Sequence, residues 1–131
     1  MTDSTERLPL VSLFTFVLVV AQPQLPGSRP LRVMAAYASS GMISIGLAAV
    51  PWPIALRGII AAAITLFVMY LTGIFHAPAF AVPFAALLIS FEIVDAPRAY
   101  LMLMIYVALV LVLAIMTNRL LGYRSYPERW W

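Results

Sequence analysis

The chain has 131 residues, of which 64% are hydrophobic and 10% are charged, and its mean hydropathy is +1.01. A soluble domain is about half apolar and about a quarter charged, so this composition excludes a soluble fold and predicts an integral membrane protein. The eight arginines are scattered between apolar runs, which excludes nucleic acid as a partner, and the absence of cysteine excludes disulfides and thiolate metal sites.

Five apolar stretches follow one another along the chain, at residues 8–21, 31–50, 54–75, 78–93 and 99–121. A helix needs about 20 apolar residues to cross a bilayer, so the first stretch is too short for a regular span. We therefore predict an all-α polytopic bundle with four full transmembrane helices and a short N-terminal helix that either spans or re-enters. All of residues 1–131 form a single membrane domain.

Prolines mark where these helices begin, and small residues indicate which helices pack together. Pro53, Pro78 and Pro97 each stand where a helix can begin, because the missing N–H of proline has no partner in a first turn. The stretch 31–50 is rich in glycine, alanine and serine, and the stretch 54–75 in glycine, alanine and threonine. Small faces let membrane helices approach closely. We expect these two helices to pack together. The stretch 99–121 is apolar all round and predicts a helix that faces lipid or docks on another protein.

Charge predicts an orientation. Arginines concentrate in residues 22–32 and after residue 118, and basic loops stay on the cytoplasmic side. We therefore expect a cytoplasmic C-terminus, in a bacterial inner membrane. The tail 122–131, with Arg119 before it, has the aromatic and basic composition of an interfacial anchor. The anchor residues are Arg119, Tyr123, Arg124, Tyr126, Arg129, Trp130 and Trp131.

Three segments in this order resemble the HPP family of integral membrane proteins, which is named for a His-Pro-Pro motif. "QPQLPGSRPLRVMAAYASSGMISIG" is similar to a Gln-Pro-containing stretch followed by a helix of small residues that opens Gly-Gly-His. "LTGIFHAPAFAVPFAALL" is similar to the segment that carries the family motif. "NRLLGYRSYPERWW" resembles the family's closing Asn, basic, Tyr-Pro and Trp pattern. The resemblance covers residues 12–131 and implies four transmembrane helices.

The chain departs from the family pattern in places that matter for function. The motif is His76-Ala77-Pro78, with one proline lost, and Ala35-Ala36-Tyr37 stands where the family has Gly-Gly-His. Phe80 adds a ring in a region that is small in the family. Some family members are associated with nitrite transport, so the resemblance implies movement of a small anion.

His76, the only histidine, is the leading candidate for an anion site. It precedes Pro78 at a predicted helix start, where backbone N–H groups and the helix dipole favour an anion. The predicted anion-binding residues are His76, Ala77, Pro78 and Arg57. The alternative is a structural histidine that caps the helix or bonds a carbonyl in the turn. In either case we expect the ring in a half-exposed turn at the edge of the bilayer. For Arg57 the alternative is contact with lipid headgroups.

Other polar residues within the apolar stretches suggest a second, weaker feature. A polar path between the second and third helices would use Ser39, Ser40, Ser44, Thr65 and Thr72. The alternative is that these hydroxyls bond the carbonyls of their own or a neighbouring helix. Glu92, Asp95 and Arg98 would form either a relay at the outer mouth or a solvated loop. The single tyrosines, such as Tyr37, predict packing only.

No motif in the sequence indicates an enzyme, a metal site or a cofactor. Two functions remain open. In the first, the protein transports a small anion of the nitrite type. In the second, it is a non-catalytic subunit packed against a larger respiratory or photosynthetic membrane complex. The expected partners are the lipid bilayer and either other membrane subunits or further copies of the chain.

Overall fold

The computed structural model describes the backbone of residues 8–83 and 96–131, and the side chains from residue 13 onward within those ranges. Every regular element in these ranges is helical. The helices are α1 (Leu8–Ala21), α2 (Pro30–Ala48), α3 (Ile54–Thr72), α4 (Ala77–Phe80) and α5 (Ala96–Leu120), and a 3-10 turn at Pro26–Ser28 joins α1 to α2. The all-α prediction is confirmed.

Three of these helices, α2, α3 and α5, are long and apolar enough to cross a membrane. Helix α1 has 14 residues, which is about 21 Å of helix against a hydrocarbon core of about 30 Å. Most of the predicted fourth span, residues 78–93, lies outside the described residues. The described part of the chain therefore has three candidate spans rather than the four that we predicted for the whole chain.

The helix ends follow local chemistry. Pro30 occupies the first turn of α2, Pro53 caps α3, and Pro97 lies in the first turn of α5, as their missing N–H groups favour. Helix α3 ends at Thr72 rather than at the predicted residue 75. Gly73 adopts a φ of 65°, a left-handed conformation that stops the helix and suits glycine.

The predicted pairing of the second and third helices is confirmed. Helix α2 packs against α3, and the buried residues of α3 are small apart from Met69. Helix α2 also packs against α5, where a Cβ atom on Gly41 would lie 2.7 Å from the ring of Tyr100. The absence of a side chain at position 41 therefore allows these two helices to approach.

Helix α5 is not simply a lipid-facing rod. One stripe along it is buried, mainly against α1 and α2. Apart from Ala96 at the start of the helix, the buried residues of this stripe are Leu103, Val107, Leu111, Ala114 and Asn118. The remaining faces expose leucine, valine and methionine, as expected for a helix in lipid. The sequence could not separate these faces because the helix is apolar all round.

A proline explains the polar residue in the α5 stripe. The carbonyl of Val19, in the last turn of α1, would normally accept a bond from residue 23, but Pro23 has no N–H. Asn118 supplies the missing donor, with its Nδ2 3.1 Å from that carbonyl oxygen. This bond ties the end of α5 to the end of α1 inside the bundle.

Candidate functional site

His76 lies between α3 and α4, and its side chain is only 1% exposed. After Gly73 stops α3, the chain turns inward, and extended backbone at His76 leads into the single turn of α4. The expectation that the imidazole is half-exposed is therefore wrong. The cause is the packing of α4 against both α1 and α2, which covers the ring.

Both ring nitrogens of His76 have partners. Its Nδ1 lies 2.9 Å from the carbonyl oxygen of Gly27 in the 3-10 turn, and its Nε2 lies 3.1 Å from Oγ1 of Thr15 in α1. A carbonyl oxygen can only accept, so the proton of the neutral ring is on Nδ1. Nε2 is then an acceptor, and Thr15 must donate to it.

Tyr37 in α2 extends this chain of hydrogen bonds. Its hydroxyl bonds Oγ1 of Thr15, whose single proton is already given to His76, so Tyr37 is the donor. The bonds therefore run in one direction, from Tyr37 to Thr15 to His76 to the Gly27 carbonyl. The rings of Tyr37 and His76 also pack together, with centroids 5.8 Å apart and planes tilted by 52°. Four separate segments of the chain meet at this cluster, which we call the imidazole cluster.

Burial sets the protonation state of the imidazole cluster. His76 lies outside the three candidate spans, and desolvation lowers its pKa to about 4, although the bond to the Gly27 carbonyl acts in the opposite direction. The ring is consequently neutral at pH 7. A charged ring in this apolar surrounding would require a nearby negative charge to offset the cost of desolvation.

The hydroxyls predicted to line a path divide into two kinds. Ser39, Ser44 and Thr72 each bond a carbonyl of their own helix. Ser40 instead reaches across to α4 and donates to the carbonyl of Ala79 at 2.8 Å. Thr65 is buried, and its Oγ1 has no hydrogen-bond partner among the described residues. Of these five predicted hydroxyls, Ser40 is therefore the one that joins two of the described elements near the imidazole cluster.

The structure does not bring Arg57 to His76. The guanidinium of Arg57 donates to the carbonyl of Ala48 at 2.8 Å, where α2 ends. Tyr37 lies about 16 Å further back along α2, at 1.5 Å per residue. Ala77 is exposed and Pro78 is half-buried, both in α4 beside the histidine. Three of the four predicted anion-binding residues are neighbours in the chain. Arg57, in the first turn of α3, lies instead beside the C-terminal end of α2, away from the imidazole cluster.

The C-terminal tail folds back over the α1–α2 connection. The carbonyl of Trp130 accepts the backbone N–H of Leu31, one of the unpaired donors in the first turn of α2. The hydroxyl of Tyr126 donates to the carbonyl of Ser28, and burial raises the pKa of Tyr126 to about 12, so it stays a donor.

Arginines reinforce this fold of the tail. Arg29 donates to the main-chain oxygen of Trp131 at 2.9 Å, and Arg119 donates to that of Tyr126 at 3.2 Å. Arg32 places its guanidinium 5.8 Å from the centre of the Trp131 ring. Of the predicted anchor residues, Tyr123, Arg124, Arg129, Trp130 and Trp131 are exposed, whereas Tyr126 is buried.

Sequence reasoning missed Thr15 and Tyr37, the two side chains that complete the imidazole cluster. Tyr37 was expected to serve packing only. A signal was present in the resemblance, because Tyr37 occupies the position of a second histidine in the family's Gly-Gly-His pattern. The resemblance indicates a polar ring at position 37, but nothing in the spacing along the chain could indicate that Tyr37 comes close to His76 or that Thr15 lies between the two rings.

The remaining candidates are the three charged residues predicted at the outer mouth. Glu92 and Asp95 lie outside the described residues, while Arg98 is exposed in the first turn of α5. Within residues 8–83 and 96–131, no three His, Cys, Asp or Glu side chains come close enough to hold a metal ion. The described side chains of the imidazole cluster offer hydrogen bonding and proton uptake by one histidine.

Comparison with known proteins bears on the resemblance. A family model described as "HPP, transmembrane region" matches residues 14–127, which is most of the chain and includes the imidazole cluster and most of the tail. No curated protein and no solved structure matches the chain. The family match agrees with the three candidate spans and with the colinear motifs around Tyr37, His76 and the tail. The chain belongs to the HPP family of integral membrane proteins.

Proposed function

We propose that this HPP-family protein carries a small anion of the nitrite type across the membrane, and that His76 is the group that meets the anion. The observation that carries the proposal is the imidazole cluster: one buried histidine, held by Thr15 and Gly27, where α1, α2 and α4 meet. An ionisable side chain kept inside a membrane bundle at an energetic cost is a functional candidate by default.

The imidazole, rather than the start of α4, is the better anion ligand. Helix α4 has only four residues and hence a small dipole. Within it, Pro78 has no N–H, and the N–H of Ala79 is bonded to the carbonyl of His76 at 3.1 Å. The anion therefore contacts the histidine ring rather than the helix terminus that the sequence suggested.

Proton and anion would bind together at this ring. In the resting state Nε2 accepts from Thr15, so it offers no donor to an anion. Protonation turns Nε2 into a donor, but it also places a positive charge in an apolar pocket. An anion beside the ring offsets that charge and raises the pKa of the histidine, so each ligand favours the other. The cargo is then a proton and an anion, with no net charge.

Flux measurements in proteoliposomes test this proposal. Vesicles loaded with a nitrite-sensitive probe are given external nitrite, with and without acidification of the outside. We expect wild-type flux to rise on acidification. His76→Gln should lower the flux in acid roughly tenfold, since one pKa unit of linkage corresponds to a factor of ten in affinity.

A matched variant controls for loss of packing. Ser39→Ala removes a hydroxyl whose bond stays within α2, so it should leave the flux unchanged. Equal flux and equal acid response in the wild type and in His76→Gln would remove the histidine from the mechanism.

A separate observation favours the alternative, a subunit of a larger membrane complex. An open groove of about 430 Å³ runs between α1 and α4 and is lined almost entirely by apolar side chains, including Phe14, Val17 and Pro78. A helix of a partner protein would fill such a groove. Gentle solubilisation of native membranes followed by native electrophoresis separates the two functions. Migration within a large complex favours the subunit, and migration of the protein alone favours the carrier.

A further inference from the structure

A second site is formed by the tail and the α1–α2 connection. They enclose a cleft of about 200 Å³ that is more polar than apolar. Its lining includes Gln24, Arg29, Tyr123, Ser125, Glu128 and Arg129. It is a different site from the imidazole cluster, since neither His76 nor Thr15 lines it. The two are joined through consecutive residues, because Gly27 bonds His76 and Arg29 borders the cleft.

The side chains that line the cleft carry a net positive charge. Arg29 uses one nitrogen for the main-chain oxygen of Trp131, and Arg129 forms no hydrogen bond or ion pair within the described part of the chain. The carboxylate of Glu128 accepts a bond from Ser125 at 3.4 Å and forms no ion pair with a described arginine. Among the lining side chains, two guanidinium groups stand against one carboxylate, so the lining favours an anion. Arginine forks suit a phosphate group in particular.

The surroundings of the cleft place it at the level of lipid headgroups. The last residue of α5, Leu120, is 86% exposed, and Leu121 is 63% exposed. Leu25, next to the lining residue Gln24, is also exposed, as are the two terminal tryptophans. Exposed leucines beside a polar cleft, with tryptophans at the same end, are the pattern of the boundary between acyl chains and headgroups.

We propose that this cleft binds the headgroup of a membrane phospholipid, with the phosphodiester on Arg29 and Arg129. Glu128 then accepts a hydrogen bond from the outer part of the headgroup. The apolar rim distinguishes a lipid from a free anion, because acyl chains can lie against the exposed leucines while the phosphate occupies the cleft. A headgroup with a hydroxyl or a primary ammonium fits Glu128, whereas the quaternary ammonium of choline has no hydrogen to donate.

Native mass spectrometry of the detergent-purified full chain tests the site. The probes are phosphatidylglycerol, phosphatidylethanolamine and phosphatidylcholine with identical acyl chains, and inorganic phosphate. We expect the first two lipids to bind more tightly than phosphatidylcholine. Arg129→Gln should weaken their binding about tenfold, the size of one charge-assisted hydrogen bond. Arg129 is the preferred position because Arg29→Gln would also release Trp131.

Arg124→Gln is the matched control, since Arg124 is exposed at the same end but does not line the cleft. Unchanged lipid binding in this variant, together with the loss in Arg129→Gln, supports the site. Equal losses in both variants would show a diffuse charge effect and overturn it. The site would also be overturned if Arg129→Gln weakened the binding of inorganic phosphate but left the binding of the lipids unchanged. Equal binding of the three lipids would overturn the role given to Glu128.

Discussion

The two ends of the bundle are built differently. At one end, which we call the turn end, the 3-10 turn, His76 and the tail are joined by hydrogen bonds between residues far apart in the sequence. At the far end, α2 is followed by α3. Among the described residues there, one side chain forms a hydrogen bond between the two helices, from Arg57 to the carbonyl of Ala48. Apolar packing holds the helices together in both places, but the turn end also fixes polar groups in one arrangement.

A binding site needs polar groups in a fixed arrangement, and the turn end provides them. Buried hydrogen bonds whose donors and acceptors are all satisfied hold their polar groups in one arrangement. Both candidate sites, the imidazole cluster and the cleft, lie at the turn end. The following experiments test the contrast between the ends, in order of decreasing expected effect.

Removal of residues 123–131 should have the largest effect. It takes away the acceptor for Leu31, the donor to Ser28 and the acceptors for Arg29 and Arg119. At about 1 kcal/mol net for each bond, the free energy of unfolding should fall by about 4 kcal/mol. Thermal or denaturant unfolding in detergent micelles measures it. Arg57→Gln, at the far end, should cost only about 1 kcal/mol. Similar costs for the two changes would contradict the contrast.

Acidification should destabilise the turn end through His76. The unfolded chain takes up a proton as the pH falls below 6.5, while the folded chain does not until about pH 4. Between these values the free energy of unfolding should fall by about 1.4 kcal/mol per pH unit, or roughly 3 kcal/mol in all. Above pH 7 the titration of His76 should not change the free energy of unfolding, because the ring is neutral in both the folded and the unfolded chain.

The control for this pH dependence is His76→Gln. The chain has no other histidine, so the variant should lose the slope between pH 6.5 and pH 5, above the usual range of the carboxyl groups. A slope of the same size in the variant would show that other groups cause it.

Asn118→Ala should have the smallest effect of the three. It leaves the carbonyl of Val19 buried without a donor, which costs about 2 kcal/mol in the free energy of unfolding. Thr65→Val is a matched comparison, because the Thr65 hydroxyl is buried without a partner among the described residues. Its removal should be neutral or stabilising in the same assay. Equal destabilisation by both variants would mean that the Asn118 bond contributes nothing specific.

The sequence predicted features that depend on neighbouring residues. The spans at 31–50, 54–75 and 99–121 agree with α2, α3 and α5 to within three residues, since hydropathy, proline and glycine act locally. The pairing of α2 with α3 followed from their small residues. The end of α3 was placed too late because Ile74 and Phe75 are apolar, although Gly73 already stops the helix.

The partners of His76 could not be predicted. Thr15 is 61 residues away from it and Gly27 is 49 residues away, and both come into reach only when α4 packs against α1 and α2. The tail shows the same limit. Its composition indicated an interfacial anchor, but the bond from Leu31 to Trp130 depends on the chain folding back, which composition does not encode.

The most direct test of this account is nitrogen-15 NMR of labelled histidine in lipid vesicles. With one histidine in the chain, each ring nitrogen gives one signal. At pH 7 we expect a protonated Nδ1 and an unprotonated Nε2, and a neutral ring down to nearly pH 4. Nitrite should shift that titration to higher pH. A ring that is charged at pH 6 without any anion, or a proton found on Nε2 instead of Nδ1, would contradict the arrangement on which the proposed carrier depends.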